Sequence, residues 1–303
     1  MSLTFTPQSH TPIHYGEEFV LVNSDLKTIE PVINAWISNC KKAKDVFLLG
    51  CREPDNPNGD WYSNVGASFM KQTPEYIRKN TNGIRDVVKN DVVLALNYGR
   101  NPQILADVLG WTFEETEAAY KKFFYEDFPE MHVSYEQIRY QVFMGQPVRD
   151  VTGGQQLFPL HNLYDYDRDK HFWLLPHELE KVLKISAKDR HIINKAGNFR
   201  IQGPSTKINT LGNININKRR MMDPEFRRLV HTHNMVHDSQ VMSFMKKYFQ
   251  WIVNETASII YDCKTLAARG WGFNFTEDEN PLRGEYKAGL NYWDMKEVFY
   301  GTN

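Results

Sequence analysis

Cysteine is scarce in this chain. Cys40, Cys51 and Cys263 are its only three in 303 residues, scattered, odd in number and without a Cys-x-x-Cys pair. That argues against a disulfide framework or a structural zinc site, and reduced thiols of this kind place the expected compartment in the cytoplasm. An excess of either charge is also missing. Lys and Arg number 36 against 37 Asp and Glu, a formal net charge of −1. With no global basic field, any nucleic-acid binding has to use a local patch. No apolar run approaches the ~18 residues that cross a membrane. The opening "MSLTFTPQSHTPIHYGEE" has neither the basic start nor the apolar core of a signal peptide. No internal repeat or low-complexity tract stands out.

What is present fits a folded globular chain: 41% apolar and 13% aromatic residues, enough for one large domain or two smaller ones. "EFVLVNSD" (18 to 25) reads as a buried strand ending in Asp25. "LKTIEPVINAWISNCKKAK" follows with Ile29, Val32, Ile33, Trp36 and Ile37 at helical spacing, and Pro31 in the first turn. Residues 51 to 60 are a loop rich in Pro, Asn, Asp and Gly. Residues 74 to 98 read as mostly helical, broken at "TNG" (81 to 83). "TFEETEAAYKKFF" opens on a capping box, Thr112 with Glu115. "VSYEQIRYQVFMG" predicts a helix ending at Gly145, and "PVRDVTGGQQLFPL" a hairpin about Gly153–Gly154. Residues 161 to 185 read as an irregular insertion. Helices are expected over 187 to 198, 204 to 220 and 246 to about 262, a hairpin over "LVHTHNMVHDSQVMSF", and strand and loop to the end. The fold class expected is α+β, long helices against a small antiparallel sheet.

Two carboxylates occupy similar settings. Asp25 ends one apolar strand, and Asp238 sits between two others in "NMVHDSQVMSF". Asp favours turns because its side chain bonds nearby backbone N–H groups, which is the plain reading of Asp238. Adjacent strands of one sheet could instead bring both acids together, where a divalent cation would relieve their repulsion. Mg²⁺ takes oxygen ligands and needs only one or two protein carboxylates beside substrate phosphates. Two such ions ~3.5–4 Å apart serve phosphoryl transfer. "RDVVKN" puts Arg85 and Lys89 on one face of one helix. That face is either simply solvated or, on a helix that Val87, Val88, Val92 and Val93 make half buried, a grip for polyphosphate. His231, His233 and His237 offer a second, weaker metal reading, since i and i+2 share a face on a strand.

At these residues the chain resembles the family A, polymerase-I-like DNA polymerases. "FVLVNSDLKTIEPVINAW" is similar to motif A, with Asp25 and Glu30. "RDVVKNDVVLALNYG" is similar to motif B, with Arg85, Lys89, Tyr98 and Gly99. "VHDSQV" is similar to motif C. "TGGQQLFPL" stands where the family has a Gly-rich hairpin, "NFRIQGPSTKI" resembles its Asn-x-x-Ile-Gln-Gly segment, and "GLNYWD" its terminal Gly-x-Asn-Trp stretch. The elements follow family order over residues 18 to 294.

The resemblance implies a right-hand polymerase palm, a small antiparallel sheet with helices, plus helical fingers. Its segments would be 1–73 (palm, motif A), 74–145 (fingers, motif B) and 146–303 (palm, motif C and the C-terminal segment). It implies a template-directed enzyme adding dNTPs to a primer 3′-OH. Two Mg²⁺ ions would be held by Asp25, Asp238 and the Leu26 carbonyl. Arg85 and Lys89 would bind the dNTP triphosphate, and Lys89 would also protonate the leaving pyrophosphate. Glu30 would lie under the sugar, Tyr98 near the templating base, and Gln202 and His237 at the growing end of the primer–template. Asp60 matches the family's Asp-x-His position, with Tyr62 in place of His. Ser239 stands where the family carries Glu, Gln155 and Gln156 where Arg is common, and motif B has one residue more between Lys89 and Tyr98.

Motif A begins within 25 residues of the start, so the expectation is palm and fingers with the thumb and 3′–5′ exonuclease absent. A separate chain would supply the thumb and perhaps the exonuclease, as in a split phage-type polymerase working in its host's cytoplasm. A fragment of a longer protein is the plainer alternative. Three further readings are a single-subunit RNA polymerase-like enzyme, which "HDS" resembles; a non-catalytic DNA-binding subunit derived from a polymerase; and a helical metal phosphohydrolase with His-Asp on a helix.

Overall fold

The computed structural model describes residues 18–26, 28–80, 83–93, 95–96, 101–236, 239–273, 275, 279–282 and 284–298. The chain forms two compact units, one of residues 1–29, 205–277 and 282–303, the other of residues 30–204 and 278–281.

The first unit is built on a five-stranded sheet in the order β4-β5-β1-β6-β7. Its strands are β1 (Phe19–Leu26), β4 (Val230–Val236), β5 (Ser239–Met245), β6 (Gly284–Gly289) and β7 (Lys296–Val298). Each neighbouring pair is antiparallel. The apolar run 19–26 takes the central place, bonded on both edges. A strand that hydrogen-bonds on both sides and packs on one face has to be rich in Phe, Val and Leu. Helix α11 (Ala187–Met222) and α13 (Phe249–Gly270) belong to this unit over residues 205–222 and 249–270. One sheet face carries Val22, Ser24, Gln240, Met242, Phe244 and Tyr286, all buried, and α11 packs there. Gln240 Nε2 donates to the carbonyl and side-chain oxygens of Asn209 at 2.8 and 2.9 Å. A Cβ on Gly212 would stand 3.1 Å from that same nitrogen. The short α12 (Pro224–Leu229), capped by Asp223, leads into β4.

The second unit is helical. It holds α1 (Ile29–Ile37, from its second residue), α2 (Lys41–Arg52), α3 (Trp61–Met70), α4 (Pro74–Lys79), α5 (Ile84–Val87), α6 (Pro102–Leu109), α7 (Phe113–Lys121), α8 (Pro129–Phe143), α9 (Arg168–His171) and α10 (Pro176–Leu183). It also holds the hairpin of β2 (Val148–Arg149) and β3 (Gln155–Gln156). Aromatic contacts tie α2, α3 and the segment before α8 together. Phe47 stacks on Trp61 at 5.2 Å, and Trp61 meets Phe128 edge-on at 5.2 Å. Phe69 of α3 stacks on Trp111 at 5.8 Å. These rings form one shared core within the unit.

The α+β class is as expected, and so are β1, the β4–β5 hairpin, the β2–β3 hairpin and the Thr112–Glu115 capping box, in which both reciprocal bonds form. Four elements differ. The helix expected after β1 is two helices, because Asn39 adopts the left-handed conformation (φ 55°) and ends α1. Residues 51 and 52 prolong α2 rather than opening the loop. The expected insertion over 161–185 contains α9 and α10. The expected helices at 187–198 and 204–220 are one helix of 36 residues with Pro204 inside it. Proline there forfeits one backbone bond, yet Ile201, Pro204, Ser205, Ile208 and Asn209 are all buried, so packing on both sides of it overrides the break.

Candidate polymerase-type active site

In the first unit the register of the sheet decides what Asp25 faces. Asp25 pairs with Ser239 of β5 on one side and with Glu285 of β6 on the other. Directly opposed residues of antiparallel strands share a face, and alternation adds Asn23, Val241 and Lys287 to it. This is the face opposite Ser24, Gln240 and Tyr286. Asp25 is half-buried, and Leu26, the last residue of β1, is buried. Asn23 Oδ1 is buried without a hydrogen-bond partner. Carboxylate and amide oxygens are the hard donors that Mg²⁺ prefers, so the residues of this face fit such an ion. His237 and Asp238 lie outside the described residues. Ser239, the next residue in the chain after Asp238, is the one that pairs with Asp25.

His231 and His233, the alternative metal pair, make contacts within the protein. His231 meets the Phe19 ring edge-on at 5.1 Å, and His233 Nε2 lies 2.8 Å from Ser243 Oγ. The register shifts between Thr232 and Asn234, which breaks the simple i, i+2 alternation the pair relied on. Burial lowers the pKa of both imidazoles, with the nearby Arg220 charge adding to the effect.

In the second unit the structure brings Arg85 and Lys89 together as expected and adds two neighbours. Asp60 caps α3, accepting from Ser63 N at 3.1 Å. It also accepts two hydrogen bonds from the Arg85 guanidinium, Nε to Oδ2 at 3.0 Å and Nη2 to Oδ1 at 2.9 Å. Burial alone would raise the Asp60 pKa, but the Arg85 and Ser63 bonds outweigh it and hold it below the usual carboxylate range. The Tyr62 ring lies beneath both cations, 5.3 Å from the Arg85 guanidinium and 5.9 Å from Lys89 Nζ. Lys89 is exposed. It sits in a π-helical turn, Val88–Val93, whose Val88, Val92 and Val93 are buried. A π turn takes up one residue more than an α turn and is frequent at functional sites. It therefore provides a place for the residue by which this segment exceeds the motif B spacing. Gly66 of α3 lets that turn approach, since a Cβ there would meet Val88 at 2.8 Å. Tyr98 and Gly99 lie outside the described residues.

Glu30 is the second residue of α1 and half-buried; Gln202 is exposed on α11. Gly203, next to Gln202, is held against the β2–β3 hairpin. A Cβ there would stand 2.9 Å from Asp150 Oδ2. The other oxygen of Asp150 accepts from Thr152 N, Thr152 Oγ1 and Gly154 N at 2.8, 2.6 and 2.9 Å. The Gly-rich hairpin and the Ile-Gln-Gly segment, separate in sequence, thus meet.

Among the described residues, Glu117, His177 and Glu178 form a group of metal-binding composition. Lys121 Nζ already lies 3.3 Å from Glu117 and 3.0 Å from Glu178, and His177 Nε2 is 2.7 Å from Glu117. These side chains already bond one another, and the group reads as a tie between α7 and α10.

Sequence reasoning did not single out Glu285. The alternation in "GEYKAG" was visible, but which acid faces Asp25 depends on the β1–β6 register, which no local pattern encodes. The Asp60–Arg85 pair was hidden for the same reason, although Asp60 and Tyr62 were picked out singly.

A scan against known protein families finds no match, and no curated protein matches the sequence. Among solved structures the chain is similar to the POL domain of Pol1 from M. smegmatis, a structure in complex with DNA primer-template and dNTP. The TM-score is 0.67 at 17% identity, over 94% of this chain and 41% of that one. This chain therefore spans about two fifths of the length of that relative. The likeness shows the fold, a polymerase palm with a small antiparallel sheet and helical fingers. Among the described residues no helix is long and apolar enough to cross a membrane.

Proposed function

We propose that this chain is the palm-and-fingers part of a family A-type DNA-directed DNA polymerase, extending a primer 3′-OH with dNTPs. The observation that carries the reading is the β1–β5 register. Asp25 pairs with Ser239, the residue that follows Asp238 in the sequence. The motif order over 18 to 294 and the fold likeness support it.

In this reading Asp25, Asp238 and the Leu26 carbonyl hold two Mg²⁺ ions, which when bound offset the charge that builds up on the reacting phosphate. The primer 3′-OH gives up its proton and its oxygen attacks the α-phosphorus in line. The bond to the β-phosphate breaks, and pyrophosphate leaves. Arg85 and Lys89 bind the triphosphate, with Lys89 protonating the leaving group. Arg85 then exchanges the carboxylate of Asp60 for phosphate oxygens, which its planar fork fits equally well. Glu30 packs under the sugar, Tyr98 near the templating base, and Gln202 and His237 touch the primer–template end. Catalysis is positioning and electrostatics rather than covalent chemistry. A separate chain supplies the thumb, and with it much of the phosphate contact on which duplex affinity depends. The balanced charge of this chain is consistent with that division.

The test is primer extension in Mg²⁺, by this chain alone and co-expressed with candidate partner chains. Asp25→Ala and Asp238→Ala should each lower extension by about 10³-fold or more. Extension undiminished in Asp25→Ala would falsify the reading. Full processive activity from this chain alone would remove the partner.

A further inference from the structure

We propose that Asn209 and Gln240 are positioning residues that hold β5 in the register on which the active site depends, an inference that rests on the function proposed above. Gln240 Nε2 donates to the Asn209 carbonyl at 2.8 Å and to Asn209 Oδ1 at 2.9 Å. Asn209 Nδ2 in turn donates to the Ser239 carbonyl at 3.3 Å. Asn209 is 3% exposed and Gln240 2%. A helix residue is thus tied to two successive residues of β5, the first of which is the register partner of Asp25.

The β5 sequence does not fix its own register. In "SQVMSFM" Val241 and Met245 lie on one face, Met242 and Phe244 on the other, so apolar alternation marks neither face as the inner one. Its neighbour β4 carries a register shift. A slip of two residues would keep every face, yet move β5 by about 7 Å along β1. Asp25 would then lose Ser239 as its partner, and Asp238, next to Ser239 in the sequence, would move with it. The amide pair opposes such a slip. It forms with Gln240 opposite Ser24, and a shift in either direction parts it at a buried position, where an unmade hydrogen bond costs most. A single buried amide fixes the register of a coiled coil in the same way. Stability alone does not account for an amide here. Gln240 Oε1 is buried with no hydrogen-bond partner among the described residues, a cost that an apolar side chain of equal size avoids.

The test is primer extension at varied Mg²⁺, by parent and variants with whatever partner chain the parent requires, alongside urea unfolding. Gln240→Asn keeps the amide but is one methylene too short to reach. It should lower extension roughly tenfold and raise the Mg²⁺ needed for half-maximal extension. Adding Asn209→Gln returns the missing length and should restore extension to within about threefold of the parent. Asn209→Leu with Gln240→Met makes both partners apolar, a change close to neutral for stability. Its urea midpoint should match the parent's while extension stays roughly tenfold down, a split that a merely structural contact would not give. If this apolar pair folds and extends at the parent's Mg²⁺ requirement, the inference is overturned. Should the apolar pair not fold, Gln240→Asn decides, and parental extension at the parental Mg²⁺ requirement overturns the inference as well. If Asp25→Asn abolishes extension while these variants leave it unchanged, the active site stands and only the register role falls. If the parent extends no primer, or Asp25→Asn extends as well as the parent, the polymerase reading fails and the register role fails with it.

Discussion

Arg85 grips Asp60 with two of its guanidinium nitrogens while Asp60 caps helix α3 with the same carboxylate. One acid thus does two jobs, and two substitutions separate them. Asparagine caps a helix about as well as aspartate but carries no charge. Asp60→Asn should lower the unfolding free energy by about 1–2 kcal/mol, the loss of charge-assisted bonds in a half-buried setting. Asp60→Ala should lose about 1 kcal/mol more, the missing cap. Urea unfolding of the three proteins measures both steps; equal stability of the two variants would show that the cap contributes nothing.

Gly203 touches Asp150 where a side chain has no room. Gly203→Ala should cost about 1–3 kcal/mol, the usual range for overpacking. Asp150→Ala removes the acceptor of three hairpin bonds and should also destabilise. Since the alanine at 203 clashes with the very carboxylate that Asp150→Ala deletes, the double variant should be less destabilised than the sum of the two. Strict additivity in a double-mutant cycle would mean that the contact carries no energy.

His132 is 3% exposed, stacked on Trp173 at 5.7 Å, with Nε2 2.8 Å from the Phe172 carbonyl. Burial, reinforced by the Arg139 charge, pushes its pKa down to about 4. Unfolded, the imidazole takes its proton near pH 6.5; folded, it resists until about pH 4. Stability is therefore full above about pH 6.5 and falls as the pH drops from there to about 4, by up to about 3 kcal/mol. His132→Gln keeps an N–H donor but does not titrate, so its stability should be flatter by that same amount, about 3 kcal/mol, between those limits. His231 and His233 titrate in parent and variant alike, so the difference between the two unfolding curves isolates His132. Identical pH dependence would refute the assignment.

Local chemistry was the part that could be read in advance. The run Phe19–Val22 announces a buried strand because four successive apolar residues need cover on both faces, and Thr112 with Glu115 announces a helix start because each satisfies the other's backbone. The left-handed Asn39, the unbroken helix through Pro204 and the two short helices of 161–185 were hidden. At Pro204, packing outvotes a local signal. Nearly fully buried on α8 and ion-paired to Glu136, Arg139 donates to the Leu174 carbonyl at 2.9 Å, fixing the approach to α10 from 35 residues away in sequence. For the site, the single acids and cations were legible from motif and spacing. Their partners were not, because Asp25 with Glu285 and Asp60 with Arg85 meet only through sheet register and helix packing.

The sheet order has a consequence for how the protein is made. Strand β1 is made long before both of its bonding partners, β5 and β6. Until they follow, an apolar strand waits with two open edges, the kind of segment that recruits the wrong neighbour. A nascent chain stalled before residue 239 should need chaperone protection and should clump without it. The acids at the heart of the sheet can be brought side by side only once β6 has been made.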